Sequence, residues 1–248
     1  MIKQWAECSS KELENIKTVI LPIGSTEQHG NHLPVGTDHF LVNAVVEELI
    51  KKHKNDFNIG ILPTINYGKS IEHLSYPGTI NISATTLLNL IYDVGYSLSC
   101  QQVNNLIILN GHGGNTGILE AATYDIKYKY NINTYCMSLG YLHGSLGGKC
   151  SFPDSMHAGY AETSLMMNCY PKFKDLYSKL PTEKTQTKGF DLLKKLNCAS
   201  WGWSTQELSK EGFVGDPTES NSETGASILA QMIELIVKQL NFIIEENN

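Results

Sequence analysis

The sequence predicts an α/β protein with a single-domain, layered α/β/α fold, in which helices flank both faces of a mostly parallel central sheet. Two observations support this fold class. Short apolar runs that read as strands alternate along the chain with segments whose apolar residues recur at helical spacing. The run at residues 106–109 is apolar without interruption, as in a strand buried on both faces of a parallel sheet. Because no linker or repeat divides the 248 residues, we expect one domain over residues 1–248.

The first half of the chain reads as helix, strand, helix, strand, loop and helix. Serines that can cap the backbone precede the first and last of these helices, and the middle helix carries apolar residues along one face. Each strand is a short apolar run, and Pro63 ends the second one. The loop is polar, aromatic and long enough to carry function. The predicted bounds are 11–15, Thr18–Ile23, about 38–53, 59–62, 67–80, and a helix from 83 through 98.

The second half continues this alternation and ends in a long amphipathic helix. Its glycine-rich stretch is predicted to be irregular, and residues 171–200 are lysine-rich without a clear pattern. Residues 201–203 and 212–217 read as loop and turn. The last helix is predicted from apolar residues that recur at helical spacing. The predicted bounds are 106–109 (strand), 116–128 (helix), 134–137 (strand), 140–155 (irregular), 156–169 (helix) and 228–243 (helix).

Composition narrows the classes of partner and the compartment. The net charge of −6 argues against binding to nucleic-acid phosphates, which requires a basic surface, and favours small-molecule substrates. We find no apolar run of about 18 residues that predicts a membrane span, and no apolar core of a signal peptide. The six cysteines are scattered without a C-x-x-C pair, as is typical of reduced thiols. We therefore expect a cytoplasmic protein without nucleic-acid or membrane partners.

Potential metal ligands cluster directly after the first predicted strand. The stretch from Glu27 to Asp38 also contains His29 and His32, with glycine and proline between them. Carboxylate and imidazole groups are ligands for divalent metals such as Zn²⁺, Mn²⁺ and Fe²⁺. Glycine and proline let a loop fold back on itself, and open α/β sheets bind ligands in loops after the carboxyl ends of their strands. The alternative is that this stretch is a solvated loop without a metal. Residues further along the chain decide between the two interpretations.

Two later segments place chemically active side chains at the same predicted sheet edge. His112 follows the strand at 106–109 and is flanked by glycines, while His157 and Glu162 lie at the predicted start of a helix. Together with the first cluster they offer enough ligands for two divalent ions, and Asp38 could bridge them. Alternatives stay open here. Residues 110–115 can form an anion-binding turn, and His157 can serve only as a helix cap.

Several motifs follow one another along the chain: residues 22–30, 32–34 and 36–38, residues 70–73 followed by 76–79, residues 110–115, residues 157–159 with 162–163, and residues 215–217 with Glu223. Over about residues 15–235 these motifs resemble those of the creatininase (creatinine amidohydrolase) family. The resemblance implies a layered α/β fold and a two-metal site. It also implies hydrolysis of non-peptide or unusual C–N bonds, and a ring-shaped oligomer that is often a hexamer.

The resemblance also assigns roles to single residues. Glu27 and His112 would ligate one metal, His29 would ligate the other, and Asp38 would bridge the two ions, which would be zinc, manganese or iron. His157 would carry a proton to the leaving nitrogen. The same motifs contain the candidate substrate-binding residues Ser70, His73, Tyr76, Gly113, Gly114 and Asn115.

Two departures separate this sequence from creatininase proper. The family implies a metal-binding glutamate two positions after His112, where this chain has Gly114. Glu162 is the candidate that replaces this ligand and takes part in catalysis. Creatininase proper also has tryptophans in the loop before the proton-carrying histidine, whereas residues 149–155 contain none. Both departures argue against creatinine as substrate. Glycine at position 114 resembles other branches, namely formylaminopyrimidine deformylases, a peptide-maturation protease and sugar-derivative hydrolases.

These observations predict a divalent-metal-dependent hydrolase of a non-peptide amide or formamide-like C–N bond in a small molecule. Two alternatives stay open: a hydrolase or isomerase of a keto-sugar or cyclitol derivative, and a non-catalytic small-molecule binder on the same scaffold. Aromatic residues at 67–76 and 201–203 fall on predicted loops. Such residues favour a homo-oligomer, possibly a hexamer, whose subunits help to close each active site.

Overall fold

The fold is built on a parallel sheet of five strands. A computed structural model describes residues 1–151, 154–185 and 202–246. The sheet strands are β1 (Lys3–Gln4), β2 (Thr18–Ile23), β3 (Ile59–Ile61), β4 (Asn105–Asn110) and β5 (Asn133–Ser138). Their order across the sheet is β1-β3-β2-β4-β5, and every neighbouring pair is parallel. A separate antiparallel pair joins β6 (Ser155–His157) to β7 (Val214–Gly215).

Helices connect the strands and cover both faces of the sheet. Several begin at residues with capping side chains: the Ser83 hydroxyl and the Asn221 side chain each accept a hydrogen bond from a backbone N–H of the first turn. The helices are α1 (Ser10–Leu13), α2 (Thr37–His53), α3 (Ala84–Cys100), α4 (Thr116–Tyr130), α5 (Leu139–Gly144), α6 (Tyr160–Cys169), α7 (Lys174–Tyr177), α8 (Thr205–Leu208) and α9 (Ser222–Glu245).

Alternate residues of the central strands point into two separate apolar cores. Val19 and Leu21 of β2 lie in the core formed with α3 and α4, whereas Ile20 between them lies in the core formed with α2, α6 and α9. Strand β4 shows the same alternation across its apolar residues. Because both faces of the sheet are covered, these strands are apolar throughout, as predicted from the sequence. The predicted layered α/β fold with a mostly parallel sheet is confirmed.

The last helix, α9, is long and apolar enough to cross a membrane by length and composition alone. Its apolar side, however, is used inside the fold. Met232, Ile236 and Leu240 are buried in the core that α9 shares with α2 and α6. The hydrophobicity of this helix is therefore accounted for by its packing in the core.

Two predictions of local structure are corrected by the fold, and one strand has no counterpart among the predicted elements. Residues 140–155 are not irregular throughout, because Leu139–Gly144 forms α5, with Leu139 and Leu142 buried at helical spacing despite the flanking glycines. His157 does not begin a helix but ends β6, which pairs with residues almost sixty positions later in the chain. Strand β1, which was not predicted, is only two residues long and carries no apolar run. The predictions for residues 186–201 lie outside the described residues.

The strand register explains why distant motifs meet. Ile23, the last residue of β2, lies beside Asn110, the last residue of β4. The loops that follow these two central strands therefore leave the sheet at the same edge, one carrying Glu27 and the other carrying His112. Helix α6, which carries Glu162 in its first turn, packs against α2 and reaches the same edge. This edge of the sheet contains the candidate site.

Candidate metal centre

Seven ionisable side chains from different elements meet at this edge. Three lie in the segments that follow β2 and β4, and two lie in the first turns of α2 and α6. One lies in a short 3-10 helix at Ile71–His73, and one ends β6. Six of these residues are buried, and Glu162 is half-buried. The seven are Glu27, His29, Asp38, His73, His112, His157 and Glu162.

The potential ligand atoms of these side chains form three overlapping groups. In each group they lie within 4.8 Å of one another. The first group contains Glu27, Asp38 and His112, which are the predicted ligands of one metal and its bridge. The second contains His29, His157 and Glu162, and the third contains Glu27, His73 and His157.

Asp38 lies between the first two groups. Its Oδ1 is 3.2 Å from Nε2 of His29, and its Oδ2 is 3.2 Å from Nδ1 of His112. Each carboxylate oxygen thus faces a different imidazole. A carboxylate placed in this way could bridge two cations, and its position follows from the place of Asp38 in the first turn of α2, directly after the Glu27 loop.

Hydrogen bonds to backbone carbonyls orient the imidazoles. Nδ1 of His29 donates to the Glu27 carbonyl at 3.1 Å, which leaves Nε2 directed at Asp38. Nε2 of His112 donates to the Lys69 carbonyl at 2.9 Å, which leaves Nδ1 directed at Asp38. Such a bond fixes the ring orientation and leaves the other nitrogen as the one that could ligate a metal once its proton is displaced.

Several buried polar atoms at the centre lack hydrogen-bond partners among the described residues. They are both carboxylate oxygens of Glu27, Nε2 of His29 and Oδ2 of Asp38. Leaving buried carboxylate oxygens without partners is costly, and native proteins rarely do it. Divalent cations held by these residues would supply the missing partners, and oxygen and nitrogen ligands suit zinc, manganese or iron. The residues present therefore fit a bound metal.

The electrostatics of the ion-free protein point the same way. Burial disfavours the protonated form of His29, but the attraction of Asp38 outweighs burial and raises the pKa of His29 to about 9. Burial likewise disfavours the charged form of Asp38, yet the neighbouring histidines lower its pKa. Protons on the imidazoles thus supply the positive charge that a metal would supply. Burial raises the pKa of Glu162 to about 7, because the histidine nearby offsets only part of the desolvation.

Glu162 and His32 stabilise the turn between β6 and α6 through hydrogen bonds to the Ala158 backbone. Oε2 of Glu162 accepts a hydrogen bond from the Ala158 backbone N–H at 2.6 Å, and Nε2 of His32 donates to the Ala158 carbonyl at 3.1 Å. Ala158 has φ of 51°, a left-handed conformation that non-glycine residues rarely adopt. His32, part of the first motif, belongs to none of the three ligand groups. Its contact with the Ala158 carbonyl shows that it supports this turn instead.

Gly114 is enclosed by the loop that carries His73. A Cβ at this position would lie 2.4 Å from the Lys69 carbonyl oxygen and 2.5 Å from both Oε1 of Glu72 and Nε2 of His112. No side chain fits there without moving backbone. The glutamate that creatininase proper is expected to have at this position is thus sterically excluded here, and Glu162 is the carboxylate that lies near His29.

The other candidate substrate-binding residues lie in different surroundings. Ser70 and Asn115 are fully buried: Ser70 Oγ bonds to Ser25 Oγ, and the Asn115 side chain bonds to the Gly24 carbonyl and the Lys69 N–H. The Tyr76 hydroxyl donates to the Ser209 carbonyl. Gly113 lines a cavity that also exposes His112 and Glu162. Contact of these residues with substrate stays a prediction.

Two features of the centre were missed in the sequence. The sequence offers His73 only as a substrate-binding candidate, which stays a prediction, and its Nε2 is 3.3 Å from Oε1 of Glu27, inside the ligand cluster. Gln28 was not singled out, although its Nε2 donates to the Gly212 carbonyl at 2.7 Å and its backbone carbonyl accepts from Nε2 of His157 at 2.9 Å. Its position between Glu27 and His29 in the first motif is the feature of the sequence that could have indicated its place at the centre.

Comparison with known proteins assigns the chain to one family. The family model described as creatinine amidohydrolase matches residues 3–240. A mycofactocin precursor peptide peptidase of Mycolicibacterium smegmatis is 30% identical over 229 residues, covering 91% of this chain and 85% of the relative. Creatinine amidohydrolase of Pseudomonas putida is 26% identical over 197 residues, covering 69% and 72% of the two chains. A solved structure of creatininase with manganese superimposes with a TM-score of 0.77 at 21% identity, covering 98% and 97%. The chain belongs to the creatininase family, in a branch that includes relatives other than creatininase proper.

Proposed function

We propose that this protein is a divalent-metal-dependent hydrolase of an amide-type C–N bond. The observation that carries the proposal is the position of Asp38, whose two oxygens lie 3.2 Å from one nitrogen each of His29 and His112. The buried, unpartnered oxygens of Glu27 beside it support the same conclusion. A non-catalytic binder would have no need to keep such a costly buried cluster intact.

Two ions per subunit are proposed, held by residues on either side of Asp38. Glu27 and His112 would hold the first, His29 and Glu162 would hold the second, and Asp38 would bridge them. When bound, such a pair of ions polarises a scissile carbonyl and lowers the pKa of a water molecule. Zinc, manganese and iron all suit this mixed carboxylate and imidazole set, because availability as much as affinity selects among them.

His157 is proposed to carry the proton from the attacking water to the leaving nitrogen. Its Nε2 donates to the Gln28 carbonyl at 2.9 Å, so Nδ1 is the atom free to take a proton. Nδ1 lies 3.6 Å from Oε1 of Glu27, a carboxylate that would stabilise the protonated ring. The ring packs between His29 and His73, with centroid distances of 4.4 and 4.2 Å, which fixes its orientation. Burial and these imidazoles hold the pKa of His157 well below its usual value, so it starts neutral and can act as a base.

The proposed substrate is a small molecule with an amide or formamide group. A second candidate is a peptide, and the observation that favours it is the 30% identity with the mycofactocin precursor peptide peptidase over 91% of this chain. Metal analysis of the purified protein, followed by assays with formamides, creatinine, keto-sugars and short peptides, tests the proposal. Hydrolysis of a C–N bond that stops on metal removal and returns on metal addition is the expected result. Loss of metal without loss of turnover would contradict it.

Metal binding should strengthen steeply as the pH rises. In the ion-free protein the pKa of His29 is about 9 and that of His112 is raised well above its usual value, so binding must displace protons from both rings. Each displaced proton weakens apparent affinity about tenfold per pH unit below its pKa. We expect manganese affinity to rise at least about 100-fold between pH 6 and pH 8. Calorimetry in buffers of different ionisation enthalpy would measure the protons released, and an affinity independent of pH would refute the expectation.

The predicted homo-oligomer stays a proposal, supported by apolar side chains near the site. Tyr67, Ile71, Leu74 and Ile80 of the loop at 67–80 are each at least 50% exposed. Trp203 packs edge-on against His73, while Trp201 lies outside the described residues. Light scattering at micromolar concentration should give a mass of several subunits, possibly six. Ile71→Glu with Leu74→Glu should lower that mass, whereas Tyr128→Glu, at a 92% exposed residue of α4, should not. A monomeric wild-type protein would rule the proposal out.

A further inference from the structure

A cavity of about 250 Å³ opens beside the candidate metal centre. His112 and Glu162 line it, together with residues that belong to no ligand group, including Ser138, His143 and Cys150. Ser138 ends β5, His143 lies in α5, and Cys150 lies in the segment after α5. The cavity is therefore the space in which a substrate held at the centre would place its remaining atoms. It is large enough for a small molecule or one terminal part of a larger one.

His143 is the buried side chain in this cavity with an unused acceptor. The residue is 5% exposed, and its Nδ1 donates to the Cys150 carbonyl at 2.7 Å. Because a carbonyl can only accept, Nδ1 carries the proton. Nε2 has no hydrogen-bond partner among the described residues. Burial lowers the pKa of His143, which keeps the ring neutral and Nε2 available as an acceptor.

Apart from His112, which the proposed metal would occupy, the described part of the cavity lining offers no positive charge to an anionic group. Among the described residues, no lysine or arginine lines it, and Glu162 contributes a carboxyl group. Lys149 precedes Cys150 in the chain, but its Nζ is 2.8 Å from Glu219 and 3.5 Å from Asp216. A carboxylate placed next to a neutral histidine would lose its hydration without gaining a partner. An uncharged N–H or O–H group would instead satisfy Nε2.

We propose that His143 is a substrate-binding residue whose Nε2 accepts a hydrogen bond from an uncharged N–H or O–H group of the substrate. The substrate class is thus an amide that carries a neutral donor, such as a carboxamide or hydroxyl, and not a carboxylate, beyond its scissile bond. This inference rests on the proposed hydrolysis of a C–N bond, and it selects among the substrates that such an activity allows.

Two matched substrates and two matched variants test it. N-formylglycinamide and N-formylglycine share the formamide bond and differ only in a neutral or charged distal group. His143→Asn keeps a donor near the Cys150 carbonyl and removes the acceptor at the Nε2 position. His143→Gln places an amide oxygen near the Nε2 position and gives up the donor to Cys150. Metal content and unfolding temperature of both variants are measured first, so that altered metal binding or folding is recognised.

The wild-type protein should hydrolyse N-formylglycinamide with the higher kcat/KM. His143→Asn should lower that value about tenfold, and His143→Gln should restore most of it, with metal content unchanged. A purely structural role would produce the reverse order, because His143→Asn preserves the bond to Cys150. That reverse order, or a preference for N-formylglycine, overturns the inference.

A separate measurement distinguishes this failure from failure of the proposed function. If no formamide or peptide is hydrolysed by the metal-loaded protein, the proposed function fails. The inference is then decided by binding of N-formylglycinamide to the metal-loaded protein. The ¹⁵N resonance of His143 Nε2 should move on addition of this compound and not on addition of N-formylglycine. An unchanged resonance would overturn the inference.

Discussion

Replacing Asp38 with alanine should remove both metal ions and abolish hydrolysis. The two oxygens of Asp38 each lie 3.2 Å from a different imidazole, so one substitution takes a ligand from both proposed sites. It also removes the buried negative charge that most raises the pKa of His29 and that, together with Glu27, raises the pKa of His112. We expect activity to fall by about a thousandfold or more, since ions of this kind contribute several kcal/mol to catalysis.

Metal content by plasma mass spectrometry and turnover of the best substrate would be measured together. Asp38→Asn serves as a second variant that keeps the shape of the side chain and removes its charge. Asp56→Ala is the matched control, because Asp56 also pairs with a histidine, His53 at 2.7 Å, but on the surface. The control should retain both ions and full activity. If Asp38→Ala still bound two ions per subunit, Asp38 would not be the bridging ligand.

Replacing Glu162 and replacing His157 should have separable effects. Glu162→Gln keeps the shape and removes the charge, so it should lower occupancy of the second ion and leave the first in place. The pKa of Glu162 is about 7 without metal, and an adjacent cation would hold the carboxylate ionised. Activity should fall by about two to three orders of magnitude. His157→Ala should keep both ions and slow turnover about 10²–10⁴-fold, because its proposed role is proton transfer.

The pair of variants is informative because His157 belongs to the same ligand group as Glu162 and His29. Loss of the second ion in His157→Ala would mean that Nδ1 of His157 is a ligand and not a proton carrier. Full occupancy in Glu162→Gln would mean that Glu162 only holds the turn through its bond to the Ala158 N–H. Glu234→Gln, on the exposed side of α9, controls for the loss of one negative charge and should change neither readout.

The layered fold and the first members of the ligand cluster could be predicted from the sequence, because the signals are local. Strand β4 is apolar without interruption since both faces of the sheet are covered. Glu27 and Asp38 lie within one short stretch after β2, and His112 directly follows β4. Neighbouring parallel strands end at the same edge, so the meeting of these residues follows from the order of the elements.

Other features of the site depended on contacts between distant parts of the chain. His157 ends a strand because β6 pairs with β7, and no local pattern announces a pairing across almost sixty residues. His73 enters the ligand cluster because its loop folds over Gly114, where a side chain has no room. Glu162 acquires its raised pKa from burial, which only the packed structure creates. The sequence alone determined which residue types were available at the sheet edge. The tertiary structure decided which of their atoms face one another, because distances and burial are set by packing between elements and not by spacing along the chain.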